Sequence, residues 1–174
     1  ICLYCYIFIL QSASYSDDKK LKTGSNTTKE FDATSGINMY SGVFDFSDDG
    51  QRANLFGIEH QNHNLYRDTP LGRFSPVTGF FITENNASYI YTGIEANYEL
   101  GPLNFTPSFT PGLYSQGDGK DLGSPIEFKT DLQLSYDFGE TTNIGMSYNH
   151  VSNASIGDKN PGANSYMFNF LKKF

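Results

Sequence analysis

Ile126-Glu127-Phe128-Lys129-Thr130-Asp131-Leu132-Gln133-Leu134-Ser135-Tyr136-Asp137-Phe138 is the stretch that decides the fold. Its even positions carry Ile, Phe, Thr, Leu, Leu, Tyr and Phe, and its odd positions carry Glu, Lys, Asp, Gln, Ser and Asp. A period of two predicts a β-strand, in which successive side chains point to opposite faces. In a soluble sheet the apolar face of such a strand turns inward. Here several strands carry a polar face each, and a small soluble barrel has to fill its interior with apolar groups. A membrane barrel reverses the arrangement, with a polar lumen and an apolar exterior.

Outward from that run, the chain from about Gly36 divides into segments of about ten residues separated by turn signals. The expected strands are 36–46, 51–61, 72–83, 87–99, 102–114, 125–138, 143–152 and 163–173. Eight is an even number, so both termini fall on the same side, the periplasmic one. The predicted fold is all-β: an eight-stranded antiparallel up-and-down transmembrane β-barrel occupying 35–174. Asp48-Asp49-Gly50, Glu84-Asn85-Asn86 and Gly139-Glu140-Thr141-Thr142 supply turn chemistry, and Ser115–Gly123 reads as a longer polar loop. Segment 103–113 also alternates, but Pro107 and Pro111 each remove a ladder donor and predict a bulge or local irregularity.

Composition agrees with this class. The chain of 174 residues has 12 Tyr, 15 Phe, 17 Gly and no Trp, and it lacks an apolar run long enough to cross a bilayer as a helix. Its formal net charge of −7 argues against a nucleic-acid partner, since little would neutralise phosphates. Residues 1–14, ICLYCYIFILQSAS, are expected to be a truncated secretory signal peptide cut near Ser14, and 15–34 a flexible polar N-terminal arm. Both cysteines, Cys2 and Cys5, lie in that leader, so neither a disulfide framework nor a thiolate metal site is expected in the mature chain. At the other end Tyr166, Phe168, Phe170 and Phe174 share one parity. That ending resembles the sorting signal of bacterial outer-membrane barrels.

Parity also locates the candidate chemistry. Ile144, Met146 and Tyr148 share a face that His150 and Ser152 continue, and Asn164 heads the face bearing Tyr166, Phe168 and Phe170. If those apolar faces meet lipid, His150, Ser152 and Asn164 sit together outside the barrel, at outer-leaflet height. A serine beside a same-face histidine is the minimum for an activated oxygen nucleophile. His150 would take the Ser152 proton and later return it to a leaving alcohol, and the natural substrate at that depth is a lipid ester. Asn153 and Asn160, or backbone N–H groups near them, are the candidates for oxyanion and substrate positioning.

The run His150–Asn164, HVSNASIGDKNPGAN, resembles the lipid A 3-O-deacylase (PagL) family, an acyloxyacyl hydrolase-like group of outer-membrane β-barrel esterases. The likeness spans the H-x-S-N core, the N-P-G turn and the aromatic terminal strand. More loosely it takes in Thr106-Pro107…Pro111-Gly112 and Leu122-Gly123…Glu127-Phe128, covering roughly 87–174. It implies that Ser152 is the nucleophile, that His150 is the base, and that an acyl chain is removed from the 3-position of lipid A. It also implies lipopolysaccharide in the outer leaflet as partner, and the outer membrane as location. The family pattern has a glutamate that orients the histidine, and Asn164 stands in its place. Asparagine accepts from an imidazole N–H but lends no charge to imidazolium, which lowers the activity expected. Asp158 is a second candidate for that role, and parity puts Glu127 in the lumen.

Other features read blandly. His60 and His63 lack a carboxylate or third histidine to complete a metal set, and are expected as surface or turn residues. Asp48-Asp49 and Asp118/Asp121 are expected to keep loops soluble. No metal and no cofactor are called for. The competing readings are a non-enzymatic eight-stranded outer-membrane barrel with a structural or adhesive role, and a soluble lipocalin-like carrier. The carrier would turn Ile144, Met146, Phe168 and Phe170 inward.

Overall fold

The computed structural model describes residues 35–174. The leader and the arm expected at 1–14 and 15–34 lie outside the described residues. Ten strand segments follow in chain order: β1 Ser35–Phe44, β2 Ala53–Asn62, β3 Arg67–Thr69, β4 Gly72–Thr83, β5 Ser88–Ala96, β6 Tyr98–Leu100, β7 Leu103–Ser115, β8 Ile126–Asp137, β9 Thr142–Ser152 and β10 Ala163–Lys173. They build eight staves of one antiparallel sheet. β5 and β6 are a single stave interrupted at Asn97, and β3 is a short flap on the start of β4. β1 pairs with both β2 and β10, and β2 also pairs with β4, so the sheet closes on itself. Closure leaves no sheet edge, which is how strands satisfy their backbone groups in hydrocarbon.

The expected strands are present with small shifts at their ends. The first stops at Phe44 because Asp45 takes a left-handed conformation, φ 51°, that begins the turn. The flap β3 was not expected, since Arg67-Asp68-Thr69 is wholly polar. The two prolines of β7 make no bulge. Pro107 and Pro111 keep their partners Leu132 and Phe128 in β8, and the register with β8 never slips. Toward β5 the ladder skips from Tyr91–Gly112 to Ile94–Phe109 in the same register, so the lost donors fall on that side.

Outside, Met39, Phe56, Ile58, Phe80, Ile82, Ile90, Leu132, Leu134, Met146 and Phe168 form an exposed apolar belt. Ile144, Met146, Phe168 and Phe170 face outward, which rules out the carrier reading. Inside, the middle of the barrel is polar. Tyr40 and Tyr91 lie across the lumen against Gly57 and Gly79, where a Cβ would come within 2.1 and 2.5 Å of the rings. Their hydroxyls meet at 2.8 Å, and Tyr91 also donates to Glu59 at 2.8 Å. Lys129 pairs with Glu59 at 3.4 Å and lies 3.8 Å from the Tyr91 ring centroid. A cavity of about 10 Å³ remains between them, room for about one water.

Toward one end the lumen turns aromatic, with Phe44, Phe81, Tyr89, Tyr114, Leu122 and Val151 in one buried cluster. This cap lies beneath the turns 45–52, 84–87, 116–125 and 153–162. The middle of the interior and this end of it are therefore occupied by side chains. Both termini of the barrel meet at the opposite end, where Phe174 N–H donates to the Ser35 carbonyl at 2.9 Å.

Candidate active site

β9 and β10 run antiparallel with Asn164 opposite His150 and Ala163 opposite Val151. In β9 the odd positions Ser147, Asn149 and Val151 are buried in the lumen, so Tyr148, His150 and Ser152 project from the outer face. The register with β8 sets Ser152 beside Phe128 and His150 beside Thr130. The polar cluster thus sits at the upper rim of the apolar belt.

The loop 153–162 is held from below by one side chain. Asn153 is fully buried, and its Nδ2 donates to the carbonyls of Leu122 (2.8 Å) and Lys159 (2.7 Å). Its Oδ1 accepts from Ser155 N–H at 2.9 Å, and its carbonyl from Ile156 N–H at 3.1 Å, across Ala154 and Ser155 with φ of 52° and 64°. Asn153 was expected as an oxyanion donor, but its side-chain amide is committed to the loop. Its backbone N–H donates to Asn160 Oδ1 at 3.1 Å, so Asn160 Nδ2 is the end of that exposed amide left to donate. The N-P-G turn ends at Gly162, with φ 61°, and a Cβ there would stand 2.8 Å from His150 Cε1. Glycine is required twice over, for the backbone and for the imidazole seated on it.

Asn164 faces the ring from the other side. Its Oδ1 lies 2.8 Å from His150 Nδ1 and accepts from Tyr148 OH at 2.7 Å, while its Nδ2 donates to Ser47 Oγ at 3.2 Å. With the carbonyl end toward the ring, Nδ1 carries the proton and Nε2 keeps its lone pair. Ser152 is half-buried two residues on, and among the described residues no hydrogen bond joins its Oγ to His150. Nucleophile–base contacts of free enzymes are often long and tighten with substrate.

The other sequence candidates separate from this cluster. Asp158 is exposed in the loop, and Glu127 is fully buried in the lumen. His63 lies in the turn after β2, as expected, but is buried against Glu95 at 2.8 Å inside the barrel, whereas His60 is half-buried on the outer parity of β2. The acidic loop residues form ion pairs. Asp121 holds Lys159 at 2.7 Å and Asp49 holds Arg52 at 2.6 Å. Lys159 and the Gly123 N–H keep the exposed Asp121 carboxyl below its usual range. Two further contributors to the site are Ser47 and Tyr148. Tyr148 was visible by parity; Ser47 was not, because it reaches Asn164 only after the barrel closes. Phe46 seals the same corner, its ring 4.4 Å from that of Tyr166.

Residues 36–173 match the sequence model of the family described as lipid A 3-O-deacylase (PagL). Among solved structures, the crystal structure of the outer membrane enzyme PagL is similar with a TM-score of 0.60 and 16% identity, over 79% of this chain and 98% of that one. A de novo designed transmembrane β-barrel is similar with a TM-score of 0.56 and 11% identity, over 82% and 96% of the two chains. Neisserial surface protein A has a TM-score of 0.52 and 11% identity, over 81% and 96%. At these identities the structures support the barrel fold alone. No curated protein matches the chain.

Proposed function

We propose that this chain, which belongs to the lipid A 3-O-deacylase (PagL) family, hydrolyses the acyl ester at the 3-position of lipid A in the outer leaflet of the outer membrane. Ser152 is the nucleophile, His150 the general base and acid, and Asn164 the group that orients the ring. The observation that carries this reading is the His150–Asn164 pair at 2.8 Å on the outer face of the rim. There the ester of a membrane glycolipid meets it without leaving the bilayer.

The steps follow from the tautomer. His150 Nε2 takes the Ser152 Oγ proton as Oγ bonds to the acyl carbon. The oxyanion that forms is met by Asn160 Nδ2 and loop N–H groups, donors fixed before the reaction and therefore free of reorganisation cost. The bond from acyl carbon to sugar oxygen breaks, and Nε2 returns the proton to that oxygen. Water then attacks the acyl-serine, giving its proton to Nε2, and the carboxylic acid departs as Ser152 recovers its proton. Asn164 holds the ring throughout but contributes no charge to the transient imidazolium.

The test is the lipid itself. Lipopolysaccharide treated with the detergent-folded barrel is expected to lose one 3-linked acyl chain by mass spectrometry. Ser152→Ala is expected to lower release by at least about a thousandfold, as loss of a nucleophile does. Release that is unchanged by Ser152→Ala removes this serine from the mechanism. Loss of an acyl chain from another position refutes the assigned regiochemistry.

A further inference from the structure

Asn164 raises a problem that a carboxylate in its place would not. A carboxylate has two equivalent oxygens, so either orientation accepts from an imidazole N–H. An amide has one accepting and one donating end. Turned over, Asn164 would offer Nδ2 to His150 Nδ1, favour the opposite tautomer and leave Nε2 protonated. The base would then have no lone pair for Ser152. Something has to hold the amide the right way round.

The turn after β1 contains what is needed. Ser47 Oγ accepts from Asn164 Nδ2 at 3.2 Å and lies 3.4 Å from Asp45 Oδ1, to which it donates. A carboxylate only accepts, so the single hydroxyl proton of Ser47 points at Asp45 and its lone pairs at Asn164. Asp45 is fully buried and bonded by Lys120 at 2.5 Å, with Asp48 a further 3.6 Å from the same ammonium. It also sits at φ 51°, a conformation that costs a non-glycine residue free energy and persists where the surroundings impose it. The turn is pinned to the site strand by Phe46 N–H, which donates to the Asn164 carbonyl at 3.0 Å. Tyr148 completes the set, its hydroxyl donating to Oδ1 at 2.7 Å.

We infer that Asp45 and Ser47 are positioning residues that set the direction of a hydrogen-bond relay, Lys120–Asp45–Ser47–Asn164–His150, and thereby the His150 tautomer. The charge that Asn164 lacks enters at Asp45, three hydrogen bonds away from the ring. It acts by fixing orientation, and it places no charge beside the imidazolium. The inference rests on the reading of His150 as the base, but the tautomer can be measured whether or not lipid A is cleaved.

The experiment uses the full chain folded in detergent, with 15N-labelled histidine. The His150 ring is assigned by its loss in His150→Gln, which separates it from His60 and His63. The native protein is expected to show the Nδ1–H form. Ser47→Ala leaves the Asp45–Lys120 pair intact and is expected to mix the tautomers. It should also lower kcat by about three- to tenfold at unchanged KM, the range one hydrogen bond commands. Ser47→Thr restores both readouts. In an Asn164→Asp background, where both oxygens accept, Ser47→Ala should change kcat by less than about twofold. An Nε2–H native ring, an unaltered tautomer in Ser47→Ala, or an equal loss in both backgrounds overturns the relay. If native protein with the Nδ1–H ring releases no fatty acid, the relay stands and the esterase reading fails.

Discussion

Gly162→Ala separates what the N-P-G turn does for the backbone from what it does for the histidine. A Cβ at 162 would lie 2.8 Å from His150 Cε1 and 3.4 Å from Nε2. Ordinary contact at about 3.4 Å requires the ring to retreat by roughly 0.6 Å, away from a turn that otherwise seats it. Alanine must also adopt φ 61°, at a cost of roughly 1–2 kcal/mol. A ring so displaced loses its 2.8 Å bond to Asn164 or its line to Ser152, and errors of that size cost up to about a hundredfold in rate. Gly101→Ala is the matched control. Gly101 has φ 70° at the opposite end of the barrel, with nothing within 4 Å of a Cβ, so it shares the backbone strain without the ring. Unfolding in urea, followed by loss of the heat-modifiable band, is expected to show similar destabilisation for both variants. Fatty-acid release per folded molecule should fall about ten- to a hundredfold in Gly162→Ala and stay native in Gly101→Ala. Equal activity in the two variants would refute the claim that Gly162 seats the imidazole.

Met146→Arg places a charge in the apolar belt and is expected to cost about 2–4 kcal/mol of folding into vesicles, with less for the interior change Ser147→Arg only if the lumen can open. A neutral outcome at Met146 would remove that face from the lipid. Lys129→Met strands the buried Glu59 carboxylate and should destabilise by about 3–5 kcal/mol, most of it regained when Glu59→Leu is added. Lys129→Met as stable as the native barrel would show that the bonds donated by Tyr91 OH (2.8 Å) and Gln61 Nε2 (3.2 Å) alone satisfy Glu59. Acid should loosen the loops that frame the site. The Asp121 pKa is depressed in the folded protein, so its contribution is present above the unfolded carboxylate value and lost as pH falls through the folded one. Hydrogen exchange of 116–125 and 153–162 is the measurement, and protection that persists in Asp121→Asn at neutral pH would contradict it.

The faces of the barrel were legible because strand parity is local. Thr130 through Tyr136, Ile144 through Ser152 and Asn164 through Phe170 each announce their outward side within a few residues. That placed His150, Ser152 and Asn164 on one surface without knowledge of the register. Contacts made by closure were not legible. Ser47 and Asn164 are 117 positions apart, and nothing in the turn Asp45-Phe46-Ser47 distinguishes it from a soluble loop until β1 pairs with β10. The burial of His63 in the turn after β2 was not legible for a related reason. Its partner Glu95 comes from another stave, and the parity of β2 carries the ring inward just beyond the strand's end. Of the bulge or local irregularity expected in β7, only the irregularity is present, as the gap in the ladder toward β5. Alternate residues of a strand direct their N–H groups to opposite neighbours, and Pro107 and Pro111 are four apart. Both omissions therefore fall toward β5, and the pairing with β8 is untouched.

A filled lumen constrains where chemistry can occur on this fold. The central polar network leaves a cavity of about 10 Å³, and the aromatic cluster from Phe44 to Val151 closes the end beneath the loops. That space is too small for an acyl chain, whereas the outer face offers every second residue of each strand. His150 and Ser152 use two consecutive outward positions of β9, and Asn164 the outward position opposite His150 in β10. A fourth polar outward position deeper in the belt would cost more with each step toward the midplane. The remaining control of the histidine therefore comes from above, where water and loops begin. Asp45, Ser47 and Lys120 occupy that level, and Asn153 secures the loop facing them through the carbonyls of Leu122 and Lys159. On this geometry the outward placement of His150, Ser152 and Asn164 is set by strand parity, and the turn 45–47 meets Asn164 from beyond the strand ends.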